Sequence, residues 1–515
     1  MPRNPLLPGL LLAAVTLATP IVAAADAKAK QREAVVDKVL GGAERLPGTP
    51  EIQWQRGGDS GVVEVWKKGE TLLIFTADNK VAAGGPAWRD PTKLAAYQAP
   101  VPLLRAIRDL GQPPLPEAPE GWTVKVLADA PSEPTRMLAT DDALLVLARD
   151  GSVHRYDHAT GEHDELHGKN YRKHQPSNEG DRAQDGFQGI ALSPDGRLYL
   201  SGNATNLSPR ENRGSRQSVH HATVYRTPAG DIAGVPKPWL ELSWPAGVGT
   251  YGHGINDMGF DDAGLLYVSS GSRTDANEAG VEDDKGKDGE VRVTSAMLRI
   301  DPSIERPTED DVEVFADGLR NTYGWLWLGG GDGRMVGLDS GPNANPPAEL
   351  NFIEEGAHYG FPYRFSDWDR QPYLHVPPAP TGLELTDPVL NVGPAARGLS
   401  EQPIGTFEAH SSPLGLAEIT DLIDAEQPTL LVGLFGNYVM SDLLHIEPEV
   451  LKVTLIGPDA DGREQARVEP WLSDLGRVID VETHGDRVYV IEFGRNRDGF
   501  PAERLPGRIL MLERE

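Results

Sequence analysis

The sequence predicts an all-β chain: a six-bladed β-propeller with a small N-terminal α+β extension behind a signal peptide. Three observations predict it. From Trp122 onward one phrase recurs, an apolar strand, a polar turn with Asp or Gly, and a second apolar strand. Gly 57 and Pro 43 are high without low-complexity runs, as many short strands joined by tight turns require. The residues before about 118 do not fit the phrase at all.

The phrase reads Met137-Leu-Ala-Thr-Asp-Asp-Ala-Leu-Leu-Val-Leu, then Gly189-Ile-Ala-Leu-Ser-Pro-Asp-Gly-Arg-Leu-Tyr-Leu, then Met258-Gly-Phe-Asp-Asp-Ala-Gly-Leu-Leu-Tyr-Val. A looser copy starts at Leu326, a weak one spans Leu414–Val432, and a clear sixth runs from Ile479 to Val490. The second, third and fourth begin at 189, 258 and 326, intervals of 69 and 68 residues. Strand pairs at such a period are propeller blades, because each four-stranded sheet buries its faces only against its neighbours. Residues 118–515 then form the propeller, and the last strand, Arg508–Glu513, is placed to close the ring on an early strand and remove an edge.

Met1–Ala27 has one positive charge at Arg3, an apolar run of about 17 residues from Leu6 to Val22, and small residues after it. This is the pattern of a secretory signal peptide, with the mature chain starting within Ala24 to Lys28. The expected location is therefore periplasmic or secreted, with no transmembrane anchor. In 28–117, Ala27–Leu46 reads as a charged amphipathic helix and Val62–Trp66 with Thr71–Phe75 as a hairpin. Leu103–Asp109 reads as a short helix in a proline-rich linker, Pro100–Pro119. No chemistry-bearing motif stands out there.

There is no cysteine, so disulfides, c-type haem attachment, zinc ribbons and thiol catalysis are all excluded. A net charge of −28 argues against nucleic acid, which needs a basic face. Five histidines from His154 to His174 lack metal-ligand spacing and read as a solvated blade edge. The acidic run Glu278–Glu290 reads as a surface insertion.

Four segments carry candidate chemistry. They are Gln184-Asp-Gly-Phe-Gln-Gly, Tyr251-Gly-His253-Gly-Ile-Asn-Asp, Gly318-Leu-Arg320-Asn321-Thr-Tyr-Gly-Trp, and Asp339-Ser-Gly341-Pro342 running through Glu349-Leu-Asn351 to Gly356-Ala-His-Tyr359-Gly-Phe-Pro362. The first three lead into blades, so they converge at one mouth of the propeller channel. Taken singly, each has a plainer reading: a hydrogen-bonded histidine, a surface ion pair, a turn.

Together these segments resemble the glucose/sorbosone dehydrogenases that use pyrroloquinoline quinone (PQQ), over roughly Ala118 to Glu515. The ordered succession Gly-Leu-Arg-Asn, Gly-Pro, Glu-Leu-Asn, Gly-x-x-Tyr-Gly-x-Pro carries the resemblance, supported by Ser295-Ala-Met-Leu-Arg-Ile-Asp-Pro302. It implies that His253 takes the proton from a sugar hydroxyl as hydride leaves, a task that an ordinary imidazole near pH 6.5 suits. It implies that Arg320 and Asn321 hold the cofactor and polarise its carbonyl, with Gln184 and Arg477 as further cofactor contacts. It places Gly341 and Pro342 on a calcium bridging protein and quinone, and Glu349 and Tyr359 on a second, structural calcium. Calcium takes oxygen ligands, main-chain carbonyls among them. The implied partners are a small sugar or polyol substrate and an external electron acceptor; the oligomeric state is not implied.

The chain departs from the family pattern at several points. Val432–Asn437 has no lysine, Ile479 stands where a second arginine follows Arg477, Gly252 replaces an acidic neighbour of the histidine, and His410 stands at a threonine position. The competing readings are a calcium-dependent lactonase or esterase and a non-catalytic binding propeller, since the fold hosts all three.

Overall fold

The computed structural model describes residues 115–173, 185–206, 219–246, 252–278, 289–331, 333–342, 344, 346–368, 371–393, 404–436, 448–494 and 507–515. Before these it gives only the backbone of four strands. Two compact units divide the chain, Met1–Gln112 with Asp498–Leu505, and Pro113–Arg497 with Pro506–Glu515. In the first, Glu44–Arg45, Val62–Lys68, Thr71–Thr76 and Val81–Gly84 make an antiparallel meander in sequence order. The expected hairpin is there, Val62 pairing with Thr76 and Lys68 with Thr71. The helix expected over 27–46 is corrected at its end, because Glu44–Arg45 pair as a strand with Lys67 and Trp66. The rest of that helix, the one at 103–109 and the leader lie outside the described residues.

The second unit is the six-bladed ring. Blade 1 is Pro134–Ala139, Leu144–Ala148, Val153–Tyr156 and His163–His167, and blade 2 is Gly186–Leu192, Leu198–Asn206, Val219–Arg226 and Lys237–Pro245. Blade 3 is Ile255–Phe260, Leu266–Ser270, Ala296–Ile300 and Glu313–Asp317. Blade 6 is Arg477–His484, Arg487–Gly494 and Arg508–Arg514, completed by the early strand Trp122–Asp129. Arg508 pairs with Asp129 and Arg514 with Trp122, so the first strand is the outer strand of the last blade, the closure the sequence suggests. The first strand of each blade is innermost, and these strands neighbour one another around the ring, Pro134–Ala139 touching both Gly186–Leu192 and Arg477–His484.

Blades 4 and 5 depart from the regular scheme. Blade 4 has three strands, Thr322–Trp327, Met335–Asp339 and Glu349–Ile353. Blade 5 is Pro413–Glu418, Thr429–Leu434, Glu449–Pro458 and Glu464–Leu472, extended by Leu390–Asn391 and Ile404–Gly405 to six strands. Leu390–Asn391 runs parallel to Gln465–Ala466, an addition no turn pattern signals. The chain between the two blades is spent elsewhere: Phe361, Phe365 and Val376 pack with Ala276 of blade 3 at the channel mouth.

Burial explains the sequence pattern. The second strands Leu144–Ala148, Leu266–Ser270, Met335–Asp339 and Thr429–Leu434 are buried at every position. Covered on both faces by adjacent blades, they read as continuous apolar runs and not as alternation. The core lies between blade faces: Val224 and Leu240 of blade 2 cluster with Val268 and Leu298 of blade 3, and Leu338 and Leu350 of blade 4 with Leu430 and Val453 of blade 5.

On the axis sits an ionic hub the sequence does not announce. Arg136, on the innermost strand of blade 1, is 4 % exposed and lies 3.1 Å from Asp480 of blade 6 and 3.5 Å from Asp257 of blade 3. Its Nη2 donates to the Tyr323 carbonyl of blade 4 at 2.5 Å, and its guanidinium lies 4.4 Å from the Tyr323 ring centroid. Asp480 also accepts from the Met137 amide at 2.7 Å. One cation thus ties blade 1 to blades 3, 4 and 6, and its Nη1 also lies 3.5 Å from the Leu414 carbonyl of blade 5.

Among the histidines at the blade 1 edge, His158 is stacked on His484 and bonded to Tyr489 and Thr140, and His167 is bonded to Ile232. The acidic insertion is partly corrected. Glu290 is a half-buried acceptor for the amides of Arg273 and Thr274, because its carboxylate caps that loop.

Candidate active site at the channel mouth

Successive innermost strands share one direction, so the residues just ahead of them collect on one rim. His253 precedes Ile255–Phe260, Arg320 and Asn321 precede Thr322–Trp327, and Arg477 opens Arg477–His484. Gln184 precedes Gly186–Leu192 but lies outside the described residues; Gln188, four residues on, accepts from the Tyr323 hydroxyl at 2.9 Å.

His253 is 7 % exposed, and its Nδ1 lies 3.2 Å from both the carbonyl oxygen and the hydroxyl of Ser272. The Ser272 hydroxyl gives its own proton to the Thr274 carbonyl at 2.6 Å. Nδ1 therefore faces two acceptors and must carry the ring proton, which leaves the lone pair on Nε2. Burial, then the nearby Arg320 charge, holds this imidazole well below its ordinary range. The ordinary value expected from sequence is thus corrected: the ring stays neutral further into acid and is a weaker base.

Asn321 is oriented in the same manner. Its Oδ1 accepts from Asn256 Nδ2 at 2.9 Å, which turns its own Nδ2 the other way, without a partner among the described residues. Asp339 fixes the backbone beneath, accepting from the amides of Arg320, at 2.7 Å, and Asn321. Burial pushes the Asp339 carboxyl up to about 6. The Ser272 amide donates to the Arg320 carbonyl at 2.7 Å, joining the blade 3 loop to the blade 4 loop.

Gly271 makes this junction possible. A Cβ there would stand 2.5 Å from His253 Cβ and 2.6 Å from Asn321 Oδ1. Gly271→Ala should therefore displace both groups, costing roughly 1–3 kcal/mol as overpacking does. Turnover should fall further than the melting temperature alone explains; equal activity of the two folded proteins counts against a shared site.

Arg320 is 6 % exposed and heavily engaged. Nε donates to the Asp275 carbonyl at 3.0 Å, Nη2 to Asp275 Oδ1 at 2.7 Å, and Nη1 to the carbonyls of Ser340 and Gly341 at 3.0 and 2.9 Å. These bonds use four of its five N–H groups. Arg477 sits against blade 5, its Nη1 3.3 Å from the Phe435 carbonyl and its guanidinium 4.8 Å from that ring's centroid. No bond among the described residues joins it to His253, Arg320 or Asn321.

The four residues expected at calcium sites surround one small cavity beside Arg320 and Asp339. Glu349 pairs across the strands with Asp339; its Oε1 accepts from the Ser366 amide at 2.7 Å and its Oε2 from Asn351 Nδ2 at 2.9 Å. Burial and the Asp339 charge push Glu349 up to about 8. The Tyr359 hydroxyl donates to the Phe352 carbonyl at 2.5 Å and accepts from the Glu354 amide at 2.8 Å, so only its main-chain oxygen remains for a cation. Among the described residues no group of three or more Asp, Glu or His side chains is placed to hold a metal ion.

Sequence reasoning missed Ser272, Asp275, Asn256 and Asp339, the residues that orient the candidates. Asn256 and Asp339 stand inside the quoted segments, and a polar residue beside a glycine loop is the only available signal. Ser272 and Asp275 leave none.

The closed six-bladed ring thus brings an oriented imidazole, a guanidinium and a carboxamide to one rim. The chain belongs to the glucose/sorbosone dehydrogenase family, whose model matches residues 132–396, just over half of its 515 residues. At the level of the family it is a sugar dehydrogenase, an oxidoreductase. Solved structures similar to it include a glucose dehydrogenase, 18 % identical over 76 % of this chain and 99 % of that one, with a TM-score of 0.50. Others are the PQQ-bound aldose sugar dehydrogenase of Streptomyces coelicolor, 22 % identical over 77 % and 99 %, TM-score 0.49, and the apo-form soluble aldose sugar dehydrogenase of Escherichia coli, 17 % over 76 % and 100 %, TM-score 0.46. The first shows a shared fold. No curated protein matches the chain.

Proposed function

We propose that this chain oxidises a sugar or polyol hydroxyl by hydride transfer to PQQ and passes the electrons to an external acceptor. The observation that carries the reading is the pair His253 Nε2 and Asn321 Nδ2, a lone pair and an amide donor on two buried residues ahead of the inner strands, each without a partner among the described residues. The donor set suits an anionic quinone in kind. Asn321 offers its amide, Arg320 its one remaining N–H, and Arg477 a second guanidinium on the same rim. When bound there, the quinone supplies the hydride acceptor. His253 takes the hydroxyl proton on Nε2 while Ser272 holds Nδ1–H in place, and Asn321 orients the ligand.

Calcium suits the cavity by its donor set. Asp339 and Glu349 are buried carboxylates whose mutual repulsion a cation would relieve, and the carbonyls of Pro342 and Tyr359 are oxygens of the type calcium takes, while that of Gly341 already accepts from Arg320 Nη1. Calcium should then raise the melting temperature, since a ligand of the folded state alone stabilises it by mass action. No difference between chelator and millimolar calcium would remove both metal sites.

Reconstitution with PQQ and calcium tests the whole reading, by a bound-cofactor absorbance band and by dye reduction with aldoses. A protein that takes up no quinone at high concentration is instead a hydrolase or a binding propeller. The export-signal pattern of Met1–Ala27 supports action in the periplasm or outside the cell.

A further inference from the structure

We propose that Asp275 is a built-in counter-anion for Arg320, and that it weakens the rim's hold on anionic ligands. The proposal rests on the cofactor reading above and deepens it. Asp275 Oδ1 lies 2.7 Å from Arg320 Nη2, and the two side chains are 8 % and 7 % exposed. Its Oδ2 accepts from the Tyr373 hydroxyl at 2.9 Å, and that hydroxyl in turn accepts from the Ala344 amide at 2.9 Å. Tyr373 belongs to the stretch that leaves blade 4 short of a strand. The detour therefore brings a donor to the carboxylate that neutralises the rim arginine.

An anion reaching this rim meets a guanidinium already paired in charge and short of donors. It can add only through the one open N–H, or exchange with Asp275 for the rest. Exchange returns far less free energy than pairing with an open guanidinium, because one buried ion pair is broken for each one made. Asp275 acts through Arg320 and so is a positioning residue.

The test uses the full-length protein and two neutral variants, Asp275→Asn, which keeps an oxygen for Nη2, and Asp275→Ser. Removing one negative charge beside the guanidinium should tighten binding of PQQ, a triacid, roughly tenfold. Binding of its uncharged trimethyl ester should stay unchanged, whereas a merely structural role would move both alike. Inorganic phosphate, compared with chloride at matched ionic strength, should raise the melting temperature of the variants by a few degrees and leave wild type where it is.

A phosphate response without any quinone binding supports the counter-anion and rejects the cofactor reading. Variants that respond to phosphate as wild type does overturn the counter-anion, whatever quinone does. Equal tightening of triacid and triester overturns it as well. If neither neutral variant folds, Asp275 is a structural partner only and the proposal falls.

Discussion

His253→Gln should leave cofactor uptake near the wild-type level and lower turnover by roughly 10²–10⁴-fold, the usual loss on removing a general base. Glutamine can still donate an N–H toward the Ser272 carbonyl, 3.2 Å from the present Nδ1, so the loop need not collapse. It has no lone pair of comparable basicity to offer at the Nε2 position. The pH profile gives a second readout. A base is lost as pH falls through its folded-state pKa, and burial with the Arg320 charge places that value well below the ordinary 6.5. The acid limb of wild-type activity should therefore lie below the usual imidazole range and be absent from the residual rate of the variant. Turnover within a few-fold of wild type, with quinone bound, sinks the assignment of His253 as the base.

The repeats made the ring legible, because each blade must present the same apolar pair to its neighbours. Even the weak copy at Leu414–Val432 is the inner pair of blade 5, Pro413–Glu418 and Thr429–Leu434. The uneven blades were not legible. Leu390–Asn391 joins blade 5 through parallel pairing with residues some 75 positions on, and nothing in a two-residue strand signals a distant partner. At the site the contrast has the same origin. His253, Arg320 and Asn321 stood out because rare residue types sit in glycine loops just ahead of strands. Ser272 and Asp275 did not, since what matters in them is which acceptor faces which donor across two blades. The sequence also gave Arg320 as a cofactor contact while hiding that Asp275 already holds it.

The hub on the propeller axis yields the largest expected loss of stability. Arg136→Met keeps the apolar stem but leaves Asp480, buried, and Asp257, half-buried, without the cation that lies 3.1 and 3.5 Å away. Breaking a buried pair from one side costs roughly 3–5 kcal/mol, because an uncompensated charge remains inside. The sign with pH follows from the carboxyls. Burial already raises Asp257 to about 6 and Asp480 in the same direction, while Glu482, beside Asp480, is raised to about 8. Groups whose folded pKa lies above the unfolded value favour the folded state at low pH and lose that contribution as pH rises through the folded pKa. Arg136 lowers Asp257 and Asp480, so its removal pushes both further up and widens that window toward alkali. The variant's deficit against wild type, read from urea unfolding, should be larger at pH 8 than at pH 5. Adding Asp480→Asn should recover part of it, since the double variant no longer buries that charge. A deficit below about 1 kcal/mol, or one independent of pH, would mean that the axis is wet and the hub screened as a surface pair is.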